Sequence, residues 1–239
     1  YIFVRPSPNA NYSAKDQSLK QIMTDLSLIT KKKMNWKIGI YAFCNWGPLM
    51  IFAGLWGISF LHVKYQIPHN EAAGLINFLW VGLMIGSPFI GWICTKLPLR
   101  NTLMLLTSLF GAISSYAILF IPLSNQVLPF FLFLLGVASS GQILSFDAIK
   151  EQNPSNHTAT AIGFNNMALV SGSTILQPLS GWILQQQWDH TLVNNIPQFS
   201  VENYTTALTI MPLAFLFSMV ILYNFKTIKD YKEALITRE

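Results

Sequence analysis

The chain has 239 residues, of which 52% are hydrophobic and only 10% are charged, and its mean hydropathy is +0.42. An ordinary soluble domain carries about 25% charged residues, so this composition excludes a water-soluble fold. Six segments contain no Asp, Glu, Lys, Arg or His, and all of the charge lies outside them. These segments are residues 38–61, 72–95, 102–123, 127–146, 158–184 and 205–225.

Each uncharged segment has at least 20 residues, which is enough for a helix to cross ~30 Å of hydrocarbon. The sequence therefore predicts an all-α integral membrane protein with six transmembrane helices between residues 38 and 225. Residues 1–37 form a cytoplasmic leader and residues 226–239 a cytoplasmic tail. Apolar residues from Leu19 to Ile29 recur at helical spacing, which predicts a short amphipathic helix on the membrane surface. A flexible linker is the alternative for this leader.

The distribution of Lys and Arg predicts the orientation of the helices. Basic residues are concentrated in the leader, the loop between the second and third segments, the loop between the fourth and fifth, and the tail. All of these regions lie on one side of the membrane, and Lys64 is alone on the other side. Short loops rich in Lys and Arg stay in the cytoplasm, so both termini are expected there. The net charge of +5 then reflects topology and does not indicate a nucleic-acid partner.

A shift of the sequence by 90 positions reveals an internal repeat. Pro88–Ile93 (PFIGWI) in the second segment aligns with Pro178–Ile183 (PLSGWI) in the fifth, and Gly82 aligns with Gly172. These segments are the second members of two successive triplets, and the charge distribution gives them opposite directions. The sequence therefore predicts two inverted three-helix repeats, an architecture that recurs in transporters.

Further features resemble the C-terminal six-helix half of a major facilitator superfamily (MFS) transporter. They are the order of the helices, the basic loop after the second segment, and the run Thr160–Asn166 followed by Pro178 and Gly181. The resemblance covers residues 37–225 and implies that a partner half of six further helices precedes this one. It also implies that the first helix of each triplet lines a central cavity, the second joins the two halves and the third faces lipid.

The loop between the second and third segments contains part of the family motif G-x-x-x-D-R-x-G-R-R. Gly91, Lys96 and Arg100 match that motif, whereas Thr95 stands in place of the acid and Pro98 in place of the second glycine. The resemblance implies a gating role for the three matching residues. The missing acid weakens the charge relay that the motif supports elsewhere in the family.

Neutral polar side chains inside the spans are the candidate solute contacts, because an unpaired amide in hydrocarbon costs a few kcal/mol. They are concentrated in the first, fourth and fifth segments. Helix–helix packing is the alternative role for each of them. Asp147, at the end of the fourth segment, is expected to serve as a gate or cap rather than as a proton carrier. The candidate substrate-binding residues are Tyr41, Asn45, Trp46, Ser139, Gln142, Asn166 and Gln177.

The sequence contains no paired cysteine motif, no histidine cluster at ligand spacing and no glycine-rich phosphate loop. We therefore expect neither an enzyme nor a bound metal or cofactor. The expected function is secondary transport of a small solute by alternating access, in a lipid bilayer that we expect to be the bacterial inner membrane. A non-catalytic multi-pass scaffold or assembly subunit is the alternative, but it requires neither the inverted repeat nor the uneven distribution of amides.

Overall fold

The computed structural model describes residues 19–97, 99–193 and 196–223. Within these ranges the chain forms helices and one β-hairpin whose two strands have two residues each. The helices are α1 (Leu19–Thr30), α2 (Lys33–Tyr65), α3 (His69–Lys96), α4 (Arg100–Phe120), α5 (Leu128–Gln152), α6 (Ser155–Gln186) and α7 (Val201–Leu222). The hairpin pairs β1 (Leu192–Val193) with β2 (Ile196–Pro197) in the α6–α7 connection.

Helices α2 to α7 are long and apolar enough to cross a membrane, which confirms the six predicted transmembrane segments. Most of them extend a few residues beyond the uncharged segments. Helix α2, for example, begins at Lys33, because a helix continues through charged residues at the membrane boundary. Helix α4 instead ends at Phe120, before the predicted end at Leu123. Its last turn precedes Pro122, and a residue before proline disfavours the helical conformation.

The first helix of each triplet departs from α-helical geometry. Helix α2 contains a π-helical turn at Phe52–Trp56, shortly after Pro48, and α5 contains a 3₁₀ turn at Ser140–Gln142. By contrast, the second helices, α3 and α6, stay α-helical through Pro88 and Pro178. Local changes of helix type of this kind are frequent at functional sites.

The packing of the helices shows the inverted repeat directly. Helix α2 packs on α6 as α5 packs on α3, and α2 contacts α7 as α5 contacts α4. A Cβ atom at Gly172 would lie 2.5 Å from the carbonyl oxygen of Phe43, and a Cβ at Gly82 would collide with the carbonyl oxygen of Phe133. Phe43 and Phe133 are themselves 90 residues apart. The repeat found in α3 and α6 therefore extends to α2 and α5.

The helices differ in how much of their surface the bundle covers. In α3 and α6 only 28% of the most apolar window is buried, compared with 44–61% in the other spans. From Leu106 onwards in α4 and from Ala207 onwards in α7, the exposed side chains are apolar or aromatic, which is compatible with lipid contact. They are Leu106, Phe110, Ile113, Tyr116 and Phe120 of α4, and Leu213, Leu216, Phe217 and Val220 of α7.

The leader contains the helix α1, which packs mainly against α6. Asp25 and Ile29 face the bundle and are buried, and the Asp25 carboxylate lies 3.3 Å from Nδ1 of His157. The two ends of the bundle are named here by helix α2. The Lys33 end holds the start of α2, and the Tyr65 end holds its last turn.

Candidate functional site

Three elements meet around the hydroxyl group of Tyr41 inside the bundle. The hydroxyls of Tyr41 in α2 and Thr107 in α4 share a hydrogen bond of 3.1 Å, and Thr107 also donates to the carbonyl oxygen of Met104. A Cβ atom at Gly141, in the 3₁₀ turn of α5, would lie 2.8 Å from the Tyr41 hydroxyl. Glycine at this position therefore lets the α5 backbone approach the hydroxyl pair.

Further buried polar groups lie in the same helices. Asn45 donates from Nδ2 to the carbonyl oxygen of Tyr41 at 3.2 Å, and Asn165 donates to the hydroxyl of Ser145 at 2.8 Å. Within the described residues, Oδ1 of each asparagine and Oγ of Ser139 are buried without a hydrogen-bond partner. Tyr41, Asn45 and Ser139 have no exposed surface, so these three predicted site residues lie inside the bundle rather than on its surface.

The other four predicted substrate residues retain exposed surface. Asn166 is exposed, and Trp46, Gln142 and Gln177 are partly exposed. Gln177 in α6 also donates to the carbonyl oxygen of Met50 in α2 at 2.9 Å, just before the π turn. The structure thus divides the seven predicted residues into a buried group and an accessible group.

The loop motif lies at the Lys33 end. Gly91 has open space at its Cβ position, and Lys96 is exposed. Arg100 is almost fully buried and donates from Nη2 to Oε2 of Glu151 at 2.7 Å. Asp147 is exposed and, among the residues that the structure describes, forms no ion pair. The charged contact between α4 and α5 therefore uses Glu151, which sequence reasoning did not single out.

An amide pair at the Lys33 end connects the start of α2 to the α5–α6 turn. Nδ2 of Asn35 donates to Oδ1 of Asn153 at 3.2 Å, and Nδ2 of Asn153 donates back to Oδ1 of Asn35 at 3.0 Å. The ammonium of Lys32 donates to Oδ1 of Asn153 and to the carbonyl oxygen of Gln152, both at 3.1 Å. The sequence gives no signal for this pairing, because Asn153 is followed by proline and resembles an ordinary turn residue.

Lys64 is the one Lys or Arg among the described residues at the Tyr65 end, and it caps the C-terminus of α4. Its ammonium donates to the carbonyl oxygens of Ile118 at 2.6 Å, Leu119 at 3.0 Å and Ile121 at 3.0 Å. The last carbonyls of a helix lack partners within the helix and carry partial negative charge, so a cation is favourable there. This contact gives Lys64 a structural role at an end where the described part of the chain has no other Lys or Arg.

Residues 1–178 of the chain match the Major Facilitator Superfamily. The chain belongs to this family. MFS proteins are transporters of small solutes that lie in a lipid membrane, so membership indicates a multi-pass membrane protein of a transport family and not an enzyme. Among curated proteins, no sequence matches the chain.

Two solved structures share the MFS fold of this chain. The inward-open xylose transporter XylE from E. coli is 14% identical, with a TM-score of 0.59 over 86% of this chain and 48% of XylE. The proton:xylose symporter XylE bound to 6-bromo-6-deoxy-D-glucose is 13% identical, with a TM-score of 0.59 over 87% of this chain and 46% of that one. The chain thus spans about half the length of the structures it matches. At this identity the similarity establishes the fold, which confirms the predicted all-α membrane architecture.

Proposed function

We propose that this chain is the C-terminal half of a secondary transporter that moves a small solute by alternating access. Its partner would be an N-terminal six-helix half of the same protein, and the Lys33 end would face the cytoplasm of a bacterial inner membrane. Two inverted triplets form one such half, and the length of the chain relative to XylE is consistent with it.

The observation that carries this proposal is the exposure of α3 and α6. These helices are the least buried of the six spans, and they expose polar side chains at Asn77 in α3 and at Asn166 and Thr174 in α6. Exposed amides are costly against lipid, whereas they suit a water-filled cavity or a second protein surface. Residues 106–120 of α4 and 207–222 of α7 expose apolar and aromatic side chains only, which instead suits lipid. A scaffold subunit would have no need of this division.

The helix irregularities support alternating access. The π turn in α2 and the 3₁₀ turn in α5 occupy the first helix of each triplet, where the cavity is expected. Rocking of two halves around a central site requires some helices to change local geometry while others remain rigid. In this half, the continuous α3 and α6 would provide the rigid surfaces.

We propose different roles for the two groups of candidate residues. The accessible residues Trp46, Gln142, Asn166 and Gln177 would contact the solute. The buried residues would hold the helices in position behind them, as the hydrogen bond between Tyr41 and Thr107 does for α2 and α4.

Solute uptake by the full-length protein tests these roles. Asn166→Ala and Gln142→Ala should each lower uptake about 2- to 10-fold, the range expected for one lost hydrogen bond of ~0.5–1.5 kcal/mol. The control is Ser108→Ala in α4, which loses a buried bond to Ser218 of 2.7 Å but lies far from the accessible group. Surface expression is held equal in all variants. Equal losses in all three variants would show that packing, and not solute contact, explains the effects.

Orientation is tested with single cysteines. A cysteine at Asn125, in the α4–α5 turn, should react with an impermeant thiol reagent added outside, and one at Ser155 should not. The reverse pattern would place the Lys33 end outside the cell.

Coupling is tested at Asp147. The uncharged segments of this half contain no Asp, Glu or His, the usual proton carriers inside a membrane, so a proton-driven transporter would carry its proton in the other half. Uptake by Asp147→Asn in proteoliposomes should therefore keep its dependence on the pH gradient, if the wild type has one. Loss of that dependence with solute exchange intact would make Asp147 the coupling residue.

A further inference from the structure

A cleft of about 290 Å³ lies between α2, α6 and α7 in the half of the bundle that carries the Lys33 end. Its walls run along Trp36–Cys44 of α2 and Ala168–Ile175 of α6, and Phe217 of α7 closes one side. At ~1.5 Å per residue the α2 wall is about 12 Å long, so the cleft is elongated along the helices. The hydroxyl of Ser171 bonds to the backbone of its own helix, which leaves the lining essentially apolar.

The cleft opens towards lipid and away from the proposed solute surface. Phe217 belongs to the exposed apolar stripe of α7, and Ile175 is also exposed. On α6, Ala168 and Ile175 each lie two residues from a proposed solute contact, Asn166 and Gln177 respectively. Two residues correspond to about 200° around a helix, so the cleft and the solute contacts occupy opposite sides of α6.

Two lysines lie at the Lys33 end of the cleft, on the face of α2 that lines it. Lys33 and Lys37 precede Ile40 and Cys44 at the spacing i, i+4, i+7 and i+11, which forms one stripe along the helix. Lys33 is exposed and Lys37 partly exposed. Within residues 19–97, 99–193 and 196–223, neither ammonium forms an ion pair. The half-exposed indole of Trp36 lies beside them, as is typical at the level of lipid headgroups.

We propose that the cleft binds an anionic phospholipid, with one acyl chain between α2, α6 and α7 and the headgroup on Lys33 and Lys37. An apolar cleft that is open to the bilayer suits an acyl chain. At its end, two cations that lack acidic partners among the described residues favour a lipid with net negative charge over a zwitterionic one. A protein segment in the same place would have to supply its own carboxylates to these lysines.

Photolabelling of the full-length protein in vesicles tests the proposal. The probes are phosphatidylglycerol and phosphatidylcholine that carry the same photoreactive group on one acyl chain, and labelled peptides are identified by mass spectrometry. We expect phosphatidylglycerol to label residues 36–44 and 168–175 more strongly than phosphatidylcholine. Lys33→Gln and Lys37→Gln should each lower that preference about fivefold, the equivalent of ~1 kcal/mol per lysine. Lys150→Gln, at an exposed lysine of α5, is the matched control and should leave it unchanged.

A second variant separates the cleft from the charge. Ser171→Phe should fill the cleft and lower labelling by both lipids while both lysines remain in place. Elution of each variant as a single species in detergent verifies folding. Equal labelling by the two lipids, insensitive to the lysines, would overturn the proposal in favour of ordinary lipid contact. Cross-links from the cleft to another polypeptide, without lipid labelling, would overturn it in favour of a protein segment or a second copy.

Discussion

Alanine at Gly82 or at Gly172 should destabilise the protein through equivalent contacts in the two repeats. A Cβ atom at Gly172 would lie 2.5 Å from the carbonyl oxygen of Phe43, whereas a carbon and a carbonyl oxygen in contact lie ~3.3–3.6 Å apart. The helices would have to separate by about 1 Å, and such overpacking typically costs about 1–3 kcal/mol. The Cβ position of Gly82 is even closer to the carbonyl oxygen of Phe133.

Gly91→Ala is the control for this experiment, because no atom lies within 4 Å of its Cβ position. Alanine gains up to ~1 kcal/mol over glycine in a helix at any of the three sites, so comparison with the control isolates the steric cost. Thermal unfolding in detergent, followed by tryptophan fluorescence, should give midpoints lower than the control by about 2–12 °C, on a scale of ~2–4 °C per kcal/mol. Midpoints equal to that of the control would refute the close approach. A lower midpoint for only one of the two variants would refute the equivalence of the two glycine contacts in the two repeats.

Three further experiments test contacts at other levels of the bundle. Lys64→Met should lower the free energy of unfolding by about 1–2 kcal/mol, because three carbonyl oxygens at the end of α4 lose a charged donor. Thermal or denaturant unfolding measures this change, and an unchanged free energy would mean that water replaces the ammonium without cost. A double-mutant cycle on Asn35→Ala and Asn153→Ala should give a coupling energy of about 1 kcal/mol, and additive losses would contradict their reciprocal bonding. Tyr41→Phe should cost about 1 kcal/mol relative to Tyr116→Phe on the exposed face of α4, and equal stability of the two variants would deny the bond to Thr107 a role.

The transmembrane segments were predictable because the thickness of the bilayer sets the minimum length of an uncharged segment that can cross it. A span must exclude charge over about 20 residues, and each of the six does so. The recurrence of Gly82 and Gly172 at the same place in the repeat was also visible in the sequence, and the structure gives its reason. Glycine at both positions is required by contact with a neighbouring backbone.

The division of the polar residues was not predictable, because burial depends on which way each helix faces. Asn45 and Asn166 are both amides inside apolar segments, yet one is fully buried and the other is exposed. Thr107 gave no signal, because a hydroxyl can always bond to its own helix and its second partner, Tyr41, lies 66 residues away in the sequence. The role of Lys64 was not predictable either, because its hydrogen-bond acceptors are backbone carbonyl oxygens, which every residue has.

The hairpin between α6 and α7 lies where the two triplets cease to be equal in length. The connection from α6 to α7 covers residues 187–200, whereas α3 and α4 are separated only by residues 97–99. Because the bundle consists of two inverted repeats, its two ends are similar, and an antibody has few features by which to distinguish one side of the membrane from the other. The β1–β2 hairpin is such a distinguishing feature. It is also a suitable place to insert an epitope without changing the contacts between helices.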